Sequence, residues 1–189
     1  AEMIRKVFAT GEIMKLCKSY RSTFEITAFT QNIQPNTDLE PVVRHGEHPR
    51  ILRFQNSEKE IDGITELISL FRKSKYKSLG IICKTETQAR EIADKLLKHT
   101  DNIYFLSSQS SAFVKGIIIT SSHMAKGLEF DEVIVPQANN KNYCSEIDKS
   151  MLYVAVTRAI HKLTVTYWGK PCDFIYISPT LKSSDLNPQ

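Results

Sequence analysis

Leu79-Gly80-Ile81-Ile82-Cys83 is an apolar run with no polar residue inside it. A half-buried strand alternates and an amphipathic helix shows a polar face, so a short unbroken run of this kind suits a strand covered on both sides. Ile117 to Thr120 and Val133-Ile134-Val135 read the same way, and Arg50 to Phe54 and Ile103 to Leu106 add two further strands. Helical patterns separate them. Ser57 with Glu60 three residues later forms a capping-box pair, and Ile61, Ile64, Leu67, Ile68 and Phe71 then follow one helical face. Thr85 with Gln88 is a second such pair, ahead of Ala89, Ile92, Ala93, Leu96 and Leu97. Strands that alternate with helices predict an α/β fold, a parallel sheet with helices on both faces. Ligands bind beyond the carboxyl ends of strands in such sheets, which directs attention to the loops after Cys83, Thr120 and Val135.

The remaining segments are read more simply. Residues 1–40 form a helical lead-in, first through Ile4, Val7, Phe8, Ile13 and Leu16. After a polar break, Thr23 caps a helix holding Ile26, Phe29 and Ile33, which Pro35 and Asn36 end. Ser107 to Ser111 and residues 139–147 are polar loops, and Asp131-Glu132 is a solvated turn. Asp148 to about His161 reads as helix and Leu163 to Tyr167 as an alternating strand. Residues 1–175 are expected to form one domain and 176–189 a flexible tail. The amphipathic segment that begins at once after Ala1 is what a piece of a longer chain would show.

Composition narrows the function classes. The chain has 189 residues, 41% of them hydrophobic, which is enough for one sizeable core. A net charge of +4 is compatible with a polyanion contact without demonstrating one. The four cysteines form no C-x-x-C pair and no zinc spacing, so they read as reduced thiols of a cytoplasmic protein, and no metal site is expected. No apolar run reaches the ~18 residues of a membrane span.

Two arginines carry the chemistry. Arg158 follows Val154, Ala155, Val156 and Thr157, and Arg21 stands in Tyr20-Arg21-Ser22-Thr23 at the mouth of a helix. A guanidinium among apolar residues is costly to desolvate unless it meets an anion, and its fork suits phosphate oxygens. An ordinary salt bridge is the plain alternative for both. In the second cluster Gly127 permits a turn, Glu129 can accept from sugar hydroxyls, and Thr120, Ser122 and His123 can donate to the phosphates of a strand. A polar turn without a ligand fits that cluster as well. No G-x-x-x-x-G-K-[ST] run occurs, so the chain has no phosphate cradle of its own.

Four of these segments together resemble the UvrD/Rep-type superfamily-one helicases. Tyr20 to Thr23 resembles motif IV, Cys83 to Arg90 the motif between IV and V, Thr120 to Phe130 motif V, and Leu152 to Ala159 motif VI. They occur in the family's order and span most of the chain. The resemblance implies the second RecA-like domain, a P-loop-NTPase-type sheet that lacks its own P-loop. It implies the C-terminal motor half of an ATP-dependent DNA helicase or translocase, inactive as an isolated fragment. Arg21 and Arg158 would act as catalytic residues on ATP, with Gly127 and Glu129 also at the nucleotide. Thr85, Thr120 and His123 would face single-stranded DNA. The Mg²⁺ that accompanies ATP would be held by the missing N-terminal P-loop domain of the same parent chain. The stretch from Pro35 to Lys77 has no room for the large helical insertion of typical members. Lys18 to Thr23, Arg44 to Pro49 and Asn142-Tyr143 look closest to the branch of helicase-like ATPases that bind and recycle RNA polymerase. That branch offers the alternative of a polymerase-remodelling factor without true unwinding. An interaction module with no nucleotide role is the third reading, and it requires Arg21 and Arg158 to lie on opposite faces.

Overall fold

The computed structural model describes residues 18–19, 21–35, 40–41, 44–110 and 116–175. The expected helix through Ile4 to Leu16 and the expected tail lie outside the described residues. In chain order the elements are β1 (Lys18–Ser19), α1 (Phe24–Ile33), β2 (Glu40–Pro41), β3 (Arg50–Phe54), α2 (Ser57–Arg72) and β4 (Leu79–Cys83). There follow α3 (Glu86–Leu96), β5 (Ile103–Phe105), β6 (Ile117–Ser121), β7 (Phe130–Val135), α4 (Glu146–Val156) and β8 (Ala159–Trp168). β1 and β2 pair with each other. The other six strands form one sheet in the order β3-β8-β7-β4-β6-β5, every neighbouring pair parallel.

The period-two rule divides the core. Ile82 of β4 and Ile118 of β6 face α1 and α4, together with Phe130, Leu163 and Val165. Leu79, Ile81 and Cys83 of β4, with Ile117 and Ile119 of β6, face α2 and α3. Two half-cores therefore sandwich the sheet, and the unbroken apolar runs follow from covering both faces. Gly80 sits under the Phe130 ring, where a Cβ would come within 2.6 Å of the ring edge. The absent side chain is what lets Phe130 lie flat on the sheet.

The connections leave β4 and β7 in opposite directions. β4 proceeds through α3 toward the β5 edge on one face, and β7 proceeds through α4 to β8 on the other face. The two strands are neighbours, so a topological switch point opens between their carboxyl ends.

The α/β fold is as expected, and three local readings need correction. Asn56, not Ser57, caps α2, its side chain accepting from Lys59 N at 2.9 Å. Glu60 is instead almost fully buried and accepts from Gln137 N at 2.9 Å and the Thr166 hydroxyl at 2.6 Å. Asp131 and Glu132 lie inside β7 rather than in a turn. The Asp131 carboxylate takes both Ser78 donors and Lys77 N, which makes it a clasp between the start of β4 and the start of β7. The helix read to about His161 ends at Val156, because Phe130 N bonds Arg158 O and draws the chain from Ala159 onward into the sheet as β8.

Candidate functional site

The sequence-predicted residues separate onto the two edges of the sheet. Arg158 immediately precedes β8 and Glu129 immediately precedes β7, so both stand on the amino edge. Arg21 joins them from the segment that leads into α1. Arg44 fixes that segment by donating to Arg21 O at 2.7 Å and Ile160 O at 2.9 Å. Glu25 anchors it from the other side, accepting from Gly46 N and pairing with His45, each at 2.8 Å. The His45 hydrogen bond is the main cause holding the Glu25 carboxyl down at about 2. Thr23 caps α1 and so begins the helix just past Arg21.

Arg21 and Arg158 line one cavity of about 230 Å³ with Ser22, Thr27, Thr30, Tyr153 and Thr157. Arg158 is half-buried and held by oxygen acceptors alone: Val154 O at 3.1 Å, Thr157 Oγ1 at 3.1 Å and Leu128 O at 3.4 Å. No carboxylate lies within ion-pair distance of it among the described residues. Burial and then the Arg21 charge make its protonated form less favourable, while Glu129 and Tyr153 act the other way. Arg21 has a carboxylate partner, Glu129 Oε1 at 2.5 Å, with both side chains about 40% exposed. The result is a hydroxyl-rimmed pocket with two guanidinium groups and one carboxylate at its edge, suited to a polyanion.

Gly127 explains how Glu129 arrives there. Residues 122–127 form successive turns after β6, with Ala125 N on Ser121 O and Leu128 N on Ala125 O. Gly127 then adopts a φ of +89°, a left-handed conformation that glycine enters without a steric penalty. Its role in this structure is to turn the chain back toward the amino edge.

Thr85, Thr120 and His123 belong to the opposite, carboxyl edge. His123 is exposed just beyond β6. Thr85 is part-buried and caps α3, with the reciprocal Gln88 bond completing the expected box. The expectation that Thr120 faces nucleic acid needs correction: it is fully buried and its hydroxyl donates to Leu106 O at 2.8 Å. That bond ties β6 to the chain leaving β5.

Sequence reasoning missed two sets of residues. On the carboxyl edge Lys84 Nζ bonds Asp148 Oδ1 at 2.6 Å and Asn142 O at 2.5 Å. Burial acts to raise the Asp148 pKa, but the Lys84 ammonium and the Cys144 and Ser145 donors outweigh it and hold the carboxyl well below its usual range. Asn142 also accepts from Gln88 Nε2 at 2.6 Å and donates to Gln137 O at 3.0 Å. The signal available in advance was the run of amides from Gln137 to Asn142, which reads only as polar loop. On the amino edge Thr27, Thr30, Tyr153 and Thr157 complete the arginine cavity. Thr27 and Thr30 at helical i,i+3 spacing on an otherwise apolar face were the sign.

The six-stranded all-parallel sheet with helices on both faces matches the RecA-like fold of a helicase C-terminal domain. Residues 102–170 match the family described as the UvrD-like helicase C-terminal domain. A solved structure described as the C-terminal domain of a possible DNA helicase from Lactobacillus plantarum WCFS1 superposes with a TM-score of 0.72. It is 30% identical, over 83% of this chain and 92% of that one. Arterivirus nonstructural protein 10, a helicase solved with DNA, aligns at 12% identity and a TM-score of 0.43, over 66% of this chain and 30% of that one. That likeness is too distant to carry an argument. No protein of curated function matches the sequence. The chain belongs to the UvrD-like helicase C-terminal domain family. Neither close match singles out the polymerase-associated branch.

No helix among the described residues is long and apolar enough to cross a membrane.

Proposed function

We propose that this domain is the C-terminal motor half of an ATP-dependent DNA helicase or translocase. Arg21 and Arg158 complete its ATP site at the interface with a P-loop domain of the same parent protein. One observation carries the reading: both arginines line a single cavity, and the more buried of them has no carboxylate partner among the described residues. The donor set fits a triphosphate. Bound there, ATP supplies the phosphoryl group that hydrolysis transfers. Arg158 holds a fixed positive charge where negative charge develops, and Arg21 adds a second once it leaves Glu129. Tyr153 and Thr157 border the same space. The ligands of the accompanying Mg²⁺ are assigned to the P-loop domain of the same parent protein. On the carboxyl edge, exposed His123 and the rim around Thr85 are the surface for a single strand.

Arg158→Ala in the protein carrying both halves tests this reading. The ATP turnover rate is expected to fall on the order of 10³-fold, with the far-UV circular dichroism unchanged. ATPase near the parent level removes the assigned role. A second reading, an ATP-driven factor that remodels RNA polymerase, rests on the resemblance of Lys18 to Thr23, Arg44 to Pro49 and Asn142-Tyr143 to that branch. Polymerase capture by the two-domain protein without duplex unwinding favours it, and unwinding without capture counts against it.

A further inference from the structure

Arg44 does not line the arginine cavity, yet it touches both segments that supply it. Its Nη2 donates to Arg21 O at 2.7 Å and to Ile160 O at 2.9 Å. The first carbonyl belongs to Arg21 itself, and the second lies in the strand that follows Arg158. The residues after Arg44 repeat the connection. Arg44 O accepts from Phe24 N at 2.8 Å, and Glu25 meets Gly46 N and the His45 ring, each at 2.8 Å. Glu47 pairs with Lys162 of β8 at 3.0 Å. Residues 44–47 therefore form a strap that joins residues 21–25 to β8. Gly46 lets the strap lie close, because a Cβ there would come within 2.6 Å of Thr23 Cγ2, on the residue that caps α1.

The two arginines do not need the strap equally. Arg158 is fixed by the sheet: Phe130 N bonds Arg158 O at 3.0 Å, and its guanidinium rests on Val154 O, Leu128 O and Thr157 Oγ1. Arg21 precedes α1 and belongs to no strand of the six-stranded sheet. Its ion pair with Glu129 is exposed and restrains it only weakly. Ser22, donating to Ala159 O at 2.6 Å, adds one tie to β8 from within the segment. The strap supplies the others, and its guanidinium donor stays charged at any pH the protein meets. Placement matters to a group of this kind, since a displacement of about 1 Å can cost on the order of 10²-fold in rate.

We infer that Arg44 is a positioning residue for the ATP reaction: through the 44–47 strap it holds Arg21 at a fixed offset from Arg158. The inference rests on the function proposed above, and it adds a residue outside the cavity on which the arginine pair depends.

Arg44→Ala and Arg21→Ala are made singly and together in the protein carrying both halves. Arg44→Ala is expected to lower kcat about tenfold or more and to change KM for ATP less than about threefold, because misplacing Arg21 removes an interaction made in the transition state. In the Arg21→Ala background the same substitution is expected to change kcat less than about twofold, since a residue that acts through Arg21 then has nothing to position. The cycle is repeated on this chain with tripolyphosphate and calorimetry, where the P-loop half makes no contribution. A several-fold loss of affinity is expected there, and it disappears without Arg21. Gly46→Ala lifts the strap from Thr23 without changing any charge, and it takes the place of Arg44→Ala under the same criteria where that variant does not fold. Equal losses of kcat in both backgrounds overturn the inference and make the strap a support of the fold alone. Parent-level kcat in Arg44→Ala, beside a loss in Arg21→Ala, overturns it while the reading of the ATP site stands. Parent-level turnover in Arg21→Ala overturns this inference together with the assigned role of Arg21.

Discussion

The two edges of the sheet hold their charges differently. On the amino edge Arg158 rests on carbonyls and a hydroxyl, and Arg21 shares one solvent-exposed ion pair with Glu129. On the carboxyl edge Lys84 and Asp148 are mostly enclosed, and each has further hydrogen bonds from the loop around them. An exposed pair contributes roughly 0–1 kcal/mol and exchanges partners readily. A buried pair with its remaining donors satisfied is costly to break from one side, because the charge left behind has no water to turn to. The contrast teaches that positive charge is available to an incoming anion on the amino edge, whereas on the carboxyl edge it is committed to shaping a loop.

Removing Asp148 is the severest test of that contrast. Asp148→Ala strips Lys84 of its counter-ion, leaves Cys144 N and Ser145 N without their acceptor and dissolves the capping box of α4. A loss of about 3 kcal/mol is expected in urea unfolding, from the orphaned ammonium and the lost cap together. Arg158→Ala, which orphans no carboxylate among the described residues, is expected to change the same quantity by less than about 1 kcal/mol. Equal losses at the two positions would break the comparison.

Glu60 gives the carboxyl edge a pH dependence. Burial, which opposes the hydrogen bonds from Thr166 and Gln137, raises its pKa above 4.5. A carboxyl whose folded value is raised supports the fold most fully below its unfolded pKa, and that support declines as pH rises through the folded value. Glutamine keeps an oxygen for Gln137 N and Thr166 but cannot ionise. Glu60→Gln should therefore match the parent near pH 4 and become progressively more stable than it toward pH 8. Thermal melts across this range decide the matter, and parallel curves for the two proteins would show that Glu60 does not titrate in the fold.

How much of this could be read in advance follows from what each signal depends on. Periodicity is local, so β4 and β6, with their unbroken apolar runs, and α3, with its Thr85–Gln88 box, were legible. So was the α/β class, which needs only the alternation of elements. Helix and strand are hard to tell apart at Ala159-Ile160-His161, where either period is satisfied; only the bond from Phe130 N, contributed by a distant strand, settles it. Glu60 looked like a capping residue because spacing cannot show that Thr166 and Gln137 wait beneath it. The arginines were picked out by their odd surroundings. That they share one cavity depends on Arg44 tying residue 21 to residue 160, a contact between stretches more than a hundred positions apart. Thr120 follows the same rule: its hydroxyl is committed to Leu106 O in the chain leaving β5, a contact that the loop sequence after β6 does not show.

The smallest expected effect concerns the exposed pair. Glu129→Gln removes the counter-ion of Arg21 and leaves the fold nearly unaltered, with a change under about 0.5 kcal/mol. Both guanidinium groups then face the cavity without a competing carboxylate. Affinity for tripolyphosphate, measured by calorimetry on this chain at low salt, should rise a few-fold and the gain should shrink at high salt, as screening requires. The resemblance to the helicase family assigns Glu129 a different duty, contact with the sugar of the nucleotide. The two duties separate cleanly in the protein carrying both halves. If Glu129 only restrains Arg21, the substitution tightens ATP and tripolyphosphate alike. If it also holds the sugar, ATP binding weakens while tripolyphosphate still gains. Unchanged tripolyphosphate affinity at low salt would mean that Arg21 does not contribute to the cavity's anion site, and the amino edge would then act through Arg158 alone.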